Sequence, residues 1–377
     1  MKSLLYPALF LFIAFACSSS EKDTEINIQP AYNSEQLTFR IDTLATGFRI
    51  PWGIAQLPDG RFLVTERAGK LFLAEKGKDN LEMSGLPDIR ARGQGGLFDV
   101  VLHPDYENNG WIYLAYSSPE GSGGTNTAVS RYKLEGTQLV NEELIYKATP
   151  NAGTSHHYGG RIAFDEAGYL YFSIGDRGSR DQNPQDITRD GGKIYRLNDD
   201  GSIPSDNPFV NENDARKAVY SYGHRNPQGL RMNPKTGKIW EHEHGPRGGD
   251  EVNIIEKGKN YGWPVITYGI NYNGTVITDE TSRPGMEQPE TYWDPSIAPC
   301  GMAFVNSREY PQWDGDLLVG SLKFNYIVRC DIENNEIVER EILMEDIGRV
   351  RDIYQAPDGY IYIALEGKGM IVRVVPQ

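Results

Sequence analysis

The residues able to do chemistry fall in a few short stretches. His156 and His157 stand in tandem in HHYGGR, and imidazole titrates near neutral pH, so either ring could take a proton from a substrate hydroxyl. The ordinary fate of a lone histidine is a hydrogen bond beside a strand, so position must separate the two. The densest stretch runs from Ser221 to Pro264. It carries Arg225, Asn226 and Gln228 in GHRNPQG, His and Glu alternating in WEHEH, the Gly245-Pro246 turn and the acidic pair Asp250 and Glu251. His242 and His244 alternate along one segment and raise the question of zinc, but no third ligand is evident. Asp250 and Glu251 can be read as oxygen donors or as an exposed acidic turn.

A repeated element must position these groups. A Gly, an apolar strand, a polar turn and a second apolar strand recur from Gly53, Gly96, Gly160, Gly229 and Gly301, and once more from Val350. Six such hairpins with further strands between them predict an all-β fold, a six-bladed β-propeller over residues 37–377. Leu37 to Phe48 reads as an amphipathic strand that completes the last blade and closes the ring. Two stacked β-sandwiches are the competing architecture, but they do not require six copies of one hairpin.

In an antiparallel hairpin the start of the first strand and the end of the second share one edge, and in a closed ring these edges converge on one mouth. Gln94, His156, His157, Arg225, Asn226, Gln228, Ser296, Arg349 and Arg351 precede first strands. Asp176, Arg177, His244 to Pro246 and Lys323 follow second strands. The opposite turns, such as Pro58-Asp59-Gly60 and Pro357-Asp358-Gly359, hold only turn formers. Function is therefore expected on the first face. Arg225, Lys323, Arg349 and Arg351 would repel one another there unless an anion or nearby carboxylates neutralise them. Guanidinium forks suit a small polycarboxylate. A phosphate ligand is disfavoured by the lack of a Gly-rich loop opening a helix.

The 377 residues carry a formal charge of −14, which excludes nonspecific attraction to nucleic acid or to an anionic membrane. Residues 1–16, with one Lys, an apolar run and Ala14-Phe15-Ala16 ahead of Cys17, read as a lipoprotein-type export signal. Cys17 is then the lipidated residue and 17–36 a flexible tether, placing the protein in the periplasm or cell envelope; plain secretion is the alternative. Cys300 and Cys330 could pair or remain buried thiols.

The motifs HHYGGRIAFDEAGYLYFSIGDRG, YSYGHRNPQGL, WEHEHGPRGGDEVNII, NYGWPVITYG, PSIAPCGMAF, VGSLK and GRVRDIYQAPDG closely resemble the soluble aldose sugar dehydrogenases that depend on pyrroloquinoline quinone (PQQ), relatives of soluble glucose dehydrogenase. The resemblance covers roughly residue 45 to the end, with the motifs in order. It implies a six-bladed propeller that takes PQQ, calcium and an aldose substrate and passes electrons to an external acceptor of unknown identity. By matching position, it implies that His157 is the general base and that Arg225, beside Asn226, stabilises charge on the quinone. Gln94, Lys323, Arg349 and Arg351 would hold the cofactor's polar edge and carboxylates, with Ser296 assisting. Gly245 and Pro246 would offer carbonyls to the cofactor-bound calcium, and Glu251 and Tyr261 would form a second, structural calcium site. Relatives place an acidic residue where this chain has His156, leaving the group that orients His157 open.

Two other functions compete on the same fold. A calcium-dependent lactonase or esterase would set acidic and amide ligands around a metal in the channel. A non-catalytic surface propeller would use the charged loops to bind glycans or protein.

Overall fold

The computed structural model describes residues 31–377. The expected export signal, Cys17 and most of the expected tether lie outside the described residues. Blade I comprises Pro51–Gln56, Phe62–Glu66, Lys70–Ala74 and Leu81–Glu82; blade II comprises Leu97–Leu102, Ile112–Ser118, Asn126–Glu135 and Gln138–Lys147. Blade III follows with Ile162–Phe164, Leu170–Ile174, Lys193–Leu197 and Val219–Tyr222, and blade IV with Pro227–Met232, Ile239–Glu243, Asp250–Ile255 and Thr291–Trp293. Blade V is Pro299–Phe304, Leu317–Ser321, Ile327–Glu333 and Glu336–Leu343. Blade VI joins Arg349–Gln355, Ile361–Glu366 and Met370–Pro376 to Thr38–Thr46 from the other end of the chain. Among the described residues only Tyr106–Asn109 and Pro311–Trp313 are helical, one turn each. Among the described residues no helix is long and apolar enough to cross a membrane.

All neighbouring strands within a blade are antiparallel, and the first strands of successive blades pack side by side around the centre, the sixth against the first. Thr38–Thr46 pairs with Met370–Pro376 from Phe39↔Pro376 to Thr46↔Met370, so the ring closes as expected from the sequence. Phe39 anchors the closure. It is fully buried, with Trp313 edge-on at 5.6 Å and Tyr32 stacked at 5.8 Å. Tyr32–Asn33, within the stretch expected as tether, pairs with Phe39 and Thr38.

The first strands bring the sequence to the mouth in a particular way. In five blades the register between first and second strands slips near the mouth, within Pro51–Ile54, Leu97–Val100, Pro227–Gly229, Pro299–Met302 and Val350–Asp352. Such bulges re-aim side chains. Trp52, Phe98, Gln228 and Arg351 all lie in these irregular steps and all line the cavity at the mouth.

Below that cavity the channel is filled. The Arg161 guanidinium, 1 % exposed, lies 2.9 Å from Asp352 Oδ1, donates to the Gln228 and Arg351 carbonyls at 2.8 and 2.7 Å, and sits 4.0 Å over the Trp52 ring. One cation thus ties blade III to blades IV, VI and I. Cys300 and Cys330 are both free and buried.

Candidate active site

His157 begins the site. It precedes blade III in the left-handed region (φ 54°), and its main-chain N–H donates to Gln94 Oε1 at 2.8 Å. Its Nδ1 lies 2.7 Å from Oδ1 of Asp176, two residues past the end of the blade's second strand. The side chains are 15 % and 2 % exposed. Asp176 also accepts from Gly178 N–H at 2.7 Å on Oδ1 and from Trp263 Nε1–H at 3.0 Å on Oδ2. Burial would raise the Asp176 pKa, but His157, Arg225 and the Gly178 N–H hold it below its ordinary value. An ionised carboxylate accepts only, so Nδ1 of His157 carries the proton and Nε2 keeps its lone pair. Burial first, then Arg225, pulls the His157 pKa below 6.5, against the opposing Asp176 bond. The ring is therefore neutral near pH 7 and able to accept a proton.

Close packing fixes this loop. A Cβ on Gly175 would come within 2.5 Å of the His157 carbonyl, and one on Gly178 within 2.4 Å of His156 Nε2. The carbonyls of Thr125, Thr154 and His156 accept from the buried Arg177 guanidinium.

Beside the loop is a cavity of about 430 Å³. Trp52, Phe98 and Tyr158 supply apolar walls, Gln94, Asn226 and Gln228 amides, and Arg67, Lys323, Arg349 and Arg351 charge. Glu366 is the counter-ion: Arg351 Nε donates to it at 3.0 Å and Arg349 Nε lies 3.6 Å away. Despite burial, which would raise it, these cations and Arg67 hold the Glu366 pKa low. The rim retains more positive than negative charge, which suits an anionic ligand.

Arg225 is placed differently from expectation. Its Nη1 donates to the His244 and Gly245 carbonyls at 2.9 and 2.8 Å, and the side chain lines a smaller neighbouring cavity instead. At Gly245, Arg225 therefore stands where a bound cation would, and the two are alternatives in this geometry. The turn itself is tightly held: Gly245 N–H donates to Asp250 at 2.9 Å, and a Cβ on Gly245 would meet the Gly249 carbonyl at 2.2 Å. Asp250 is fully buried and also accepts from Ser296 Oγ at 2.7 Å and Ala298 N–H at 2.9 Å. It is a brace, not the exposed acidic turn that the sequence allowed. Ser296 serves that brace and is not among the residues lining the main cavity.

The second cation site fits its donors. Glu243 and Glu251 face each other across paired strands and Glu241 lies two residues along; Glu241 and Glu243 are buried with His224, and Glu251 is half-buried. Burial would lower the His224 pKa, but Glu241 and Glu243 raise it to about 9, so its charge offsets one carboxylate. The Glu251 pKa is raised by burial and by Glu243, and Glu241 Oε2 has no hydrogen-bond partner. Buried carboxylates in excess, one orphaned, match a hard divalent cation. Glu243, Gly245, Glu251 and Tyr261 line a cavity of about 10 Å³ here, room for one small ion or water. The Tyr261 hydroxyl donates to the Ile254 carbonyl, which leaves only its main chain for a cation. His242 and His244 accordingly have no zinc role: each Nε2 bonds a blade V carbonyl, Gly301 at 3.2 Å and Pro299 at 2.8 Å.

Residues 48–373 match the glucose/sorbosone dehydrogenase family. The chain belongs to this family. Membership makes it an oxidoreductase of the dehydrogenase type. It is 41 % identical over 348 residues to an aldose sugar dehydrogenase of Escherichia coli, covering 90 % of this chain and 94 % of that one. A crystal structure of a glucose dehydrogenase superposes with a TM-score of 0.86 at 40 % identity, covering 88 % of this chain and 98 % of that one. The PQQ-bound form of an aldose sugar dehydrogenase from Streptomyces coelicolor gives 0.73 at 27 % identity, over 90 % and 98 %.

The fold thus gathers Gln94, Asn226, Lys323, Arg349 and Arg351 around one cavity; His157 is not among the lining residues, but its main-chain N–H bonds Gln94 and its chain neighbour Tyr158 forms part of the wall. Sequence reasoning missed Arg67 and Glu366, and it left the orienter of His157 unassigned where the structure supplies Asp176. Arg67 follows, and Glu366 ends, a second strand of its blade. The rule that selected Asp176 and Lys323 applies equally to the first and last hairpins.

Proposed function

We propose that this protein oxidises aldose sugars at the anomeric carbon to the lactone, with PQQ as the oxidant. The observation that carries the reading is the neutral, Asp176-oriented imidazole of His157, whose main chain bonds Gln94 on the wall of a cavity whose cations outnumber their one carboxylate partner among the described residues. The relatives' names support the sugar, and the Streptomyces structure supports PQQ.

When bound, PQQ supplies a quinone carbonyl that accepts hydride equivalents. Lys323, Arg349, Arg351 and Arg67 would pair its carboxylates, Gln94 and Asn226 its polar edge, and Trp52, Phe98 and Tyr158 would exclude water from its faces. Nε2 of His157 takes the proton of the anomeric hydroxyl as the C–H electron pair departs, and Asp176 stabilises the imidazolium that forms. Arg225, held by two carbonyls next to Asn226, places a fixed positive charge near the site. Glu243 and Glu251 would hold a calcium ion that stabilises the turn preceding Asp250. Electrons then pass to an external acceptor, and export as expected from residues 1–16 would place the reaction in the cell envelope.

A lactonase reading is disfavoured by one observation: the channel position for its metal is filled by the Arg161 guanidinium against Asp352. The test is dye reduction by purified protein across several aldoses, with PQQ and calcium added together or singly. Turnover requiring PQQ supports the proposal. No turnover with any aldose, with an unchanged PQQ spectrum on mixing, would sink it.

A further inference from the structure

A buried cation that the proposed reaction leaves unused lies behind His157. The Arg177 guanidinium is 1 % exposed, and no carboxylate pairs with it among the described residues; its chain neighbour Asp176 pairs with His157 instead. A buried charge without a counter-ion is costly unless its donors are met. Here main-chain carbonyls meet them. Nη1 donates to His156, and Nη2 to Thr154 at 3.1 Å and Thr125 at 3.3 Å, while the guanidinium carbon stands 3.5 Å from the centre of the Tyr158 ring. Nε has no partner. The same threonines tie back: the Thr154 hydroxyl donates to the Arg177 carbonyl at 2.6 Å, and the Thr125 hydroxyl lies 2.6 Å from that of Tyr158.

These contacts bracket one strained residue. His157 holds a φ of 54°, a left-handed conformation that a residue with a Cβ keeps only where its surroundings fix it. Arg177 grips the carbonyl of the residue before it and the ring of the residue after it. The other ties on this turn each hold a single point: His157 N–H on Gln94, and the Tyr158 carbonyl on the Thr127 hydroxyl at 2.7 Å. The direction of the imidazole follows from the turn. A return to right-handed or extended backbone would swing Cβ and carry Nδ1 away from Asp176.

We propose that Arg177 is a positioning residue for the proton acceptor: by clamping the chain on both sides of His157, it holds the left-handed turn that keeps Nδ1 on Asp176 and leaves Nε2 free for the substrate hydroxyl. The inference rests on the reading of His157 as the base of sugar oxidation and names what aims that base. A residue that only packs the loop would change stability and leave the His157–Asp176 bond intact. A positioning residue must act through that bond.

The experiment uses Arg177→Met, which keeps the length and removes the donors, and Arg177→Lys, which keeps the charge and loses the fork. With glucose and PQQ, kcat should fall about a hundredfold in Arg177→Met with a smaller change in KM, and Arg177→Lys should lie between it and the wild type. Arg177→Met combined with Asp176→Asn should be little worse than Asp176→Asn alone, because both break the same pair. The ionisable neighbours of the His157 ring are Asp176, Arg225 and His156, and burial is the largest cause of its lowered pKa. Freeing the turn exposes the ring, so the acid limb of activity should move up towards 6.5, opposite to the shift caused by losing the Asp176 carboxylate. One readout needs neither sugar nor cofactor. The downfield proton NMR resonance of His157 Nδ1–H, absent from Asp176→Asn, should also disappear from Arg177→Met. Multiplicative losses in the double variant, an unmoved limb or a retained resonance would overturn the role, and if Arg177→Met does not fold, the same readouts on Arg177→Lys decide. Loss of the resonance in a protein that oxidises no sugar would keep the clamp and sink the dehydrogenase reading.

Discussion

Asp176 Oδ1 lies 2.7 Å from Nδ1 of His157, and the same carboxylate accepts from Gly178 and Trp263, so every partner it has is a donor. This makes the aspartate an ionised acceptor and fixes the imidazole tautomer. Asp176→Asn keeps the shape but can present an N–H to Nδ1, which would protonate Nε2 instead. We expect kcat to fall about 10³-fold or more with little change in sugar KM or PQQ affinity, checked by steady-state kinetics and absorbance titration. A loss below tenfold would remove Asp176 from this role.

The same pair sets a pH dependence. His157 works deprotonated, and burial together with Arg225 depresses its pKa below 6.5. Activity should rise with pH through a limb below 6.5 and be flat above it. Asp176 is the neighbour that raises this pKa, so in Asp176→Asn the limb should move further towards acid. A wild-type limb above pH 7 would contradict the assignment.

Among the described residues Glu366 is the one carboxylate paired with Arg351 and near Arg349. Glu366→Gln leaves the buried Arg351 uncompensated and should destabilise the cofactor-free protein by about 2–3 kcal/mol. Because an anionic cofactor supplies the missing charge, saturating PQQ should recover a larger part of the melting temperature in this variant than in the wild type. Equal PQQ stabilisation of both proteins would argue against an anion on this rim.

The Glu243–Glu251 site predicts a cation-dependent stability. Calcium at about a hundredfold over its Kd should stabilise the fold by about 2.7 kcal/mol, and chelation should remove that increment. Glu251→Gln should melt at one temperature with or without calcium. Calorimetry reads both, independently of turnover.

Ring closure has its own test. Phe39 is fully buried against Trp313 in the strand that joins the two ends of the chain. Phe39→Ala should cost about 3–5 kcal/mol of stability in denaturant unfolding.

The blades were legible because each hairpin repeats the same apolar spacing and the same turn chemistry, and that pattern is local. The mouth was legible only in part. His157 and the strand-initial arginines stand at repeat-equivalent positions, and so do Arg67 and Glu366, but that these two meet Arg349 and Arg351 follows only from the ring placing the last blade beside the first. Asp176 was visible at the right edge, yet its pairing with His157 depends on the left-handed turn at His157 and on Trp263 from the long loop between the third and fourth strands of blade IV. Arg225 illustrates the converse. Its position was readable from GHRNPQG, but its attachment to the Gly245 carbonyl is set by the tertiary packing of the turn.

The measurement closest to the central claim is single-turnover reduction of bound PQQ by glucose in the wild type and in His157→Ala, with PQQ binding titrated on both. The account predicts that His157→Ala binds PQQ as the wild type does and loses at least about a hundredfold in reduction rate. It also predicts that glucose deuterated at C1 slows the wild type. Undiminished reduction by His157→Ala, or reduction with no isotope effect at any pH, would contradict proton removal by His157 as the step that drives hydride transfer.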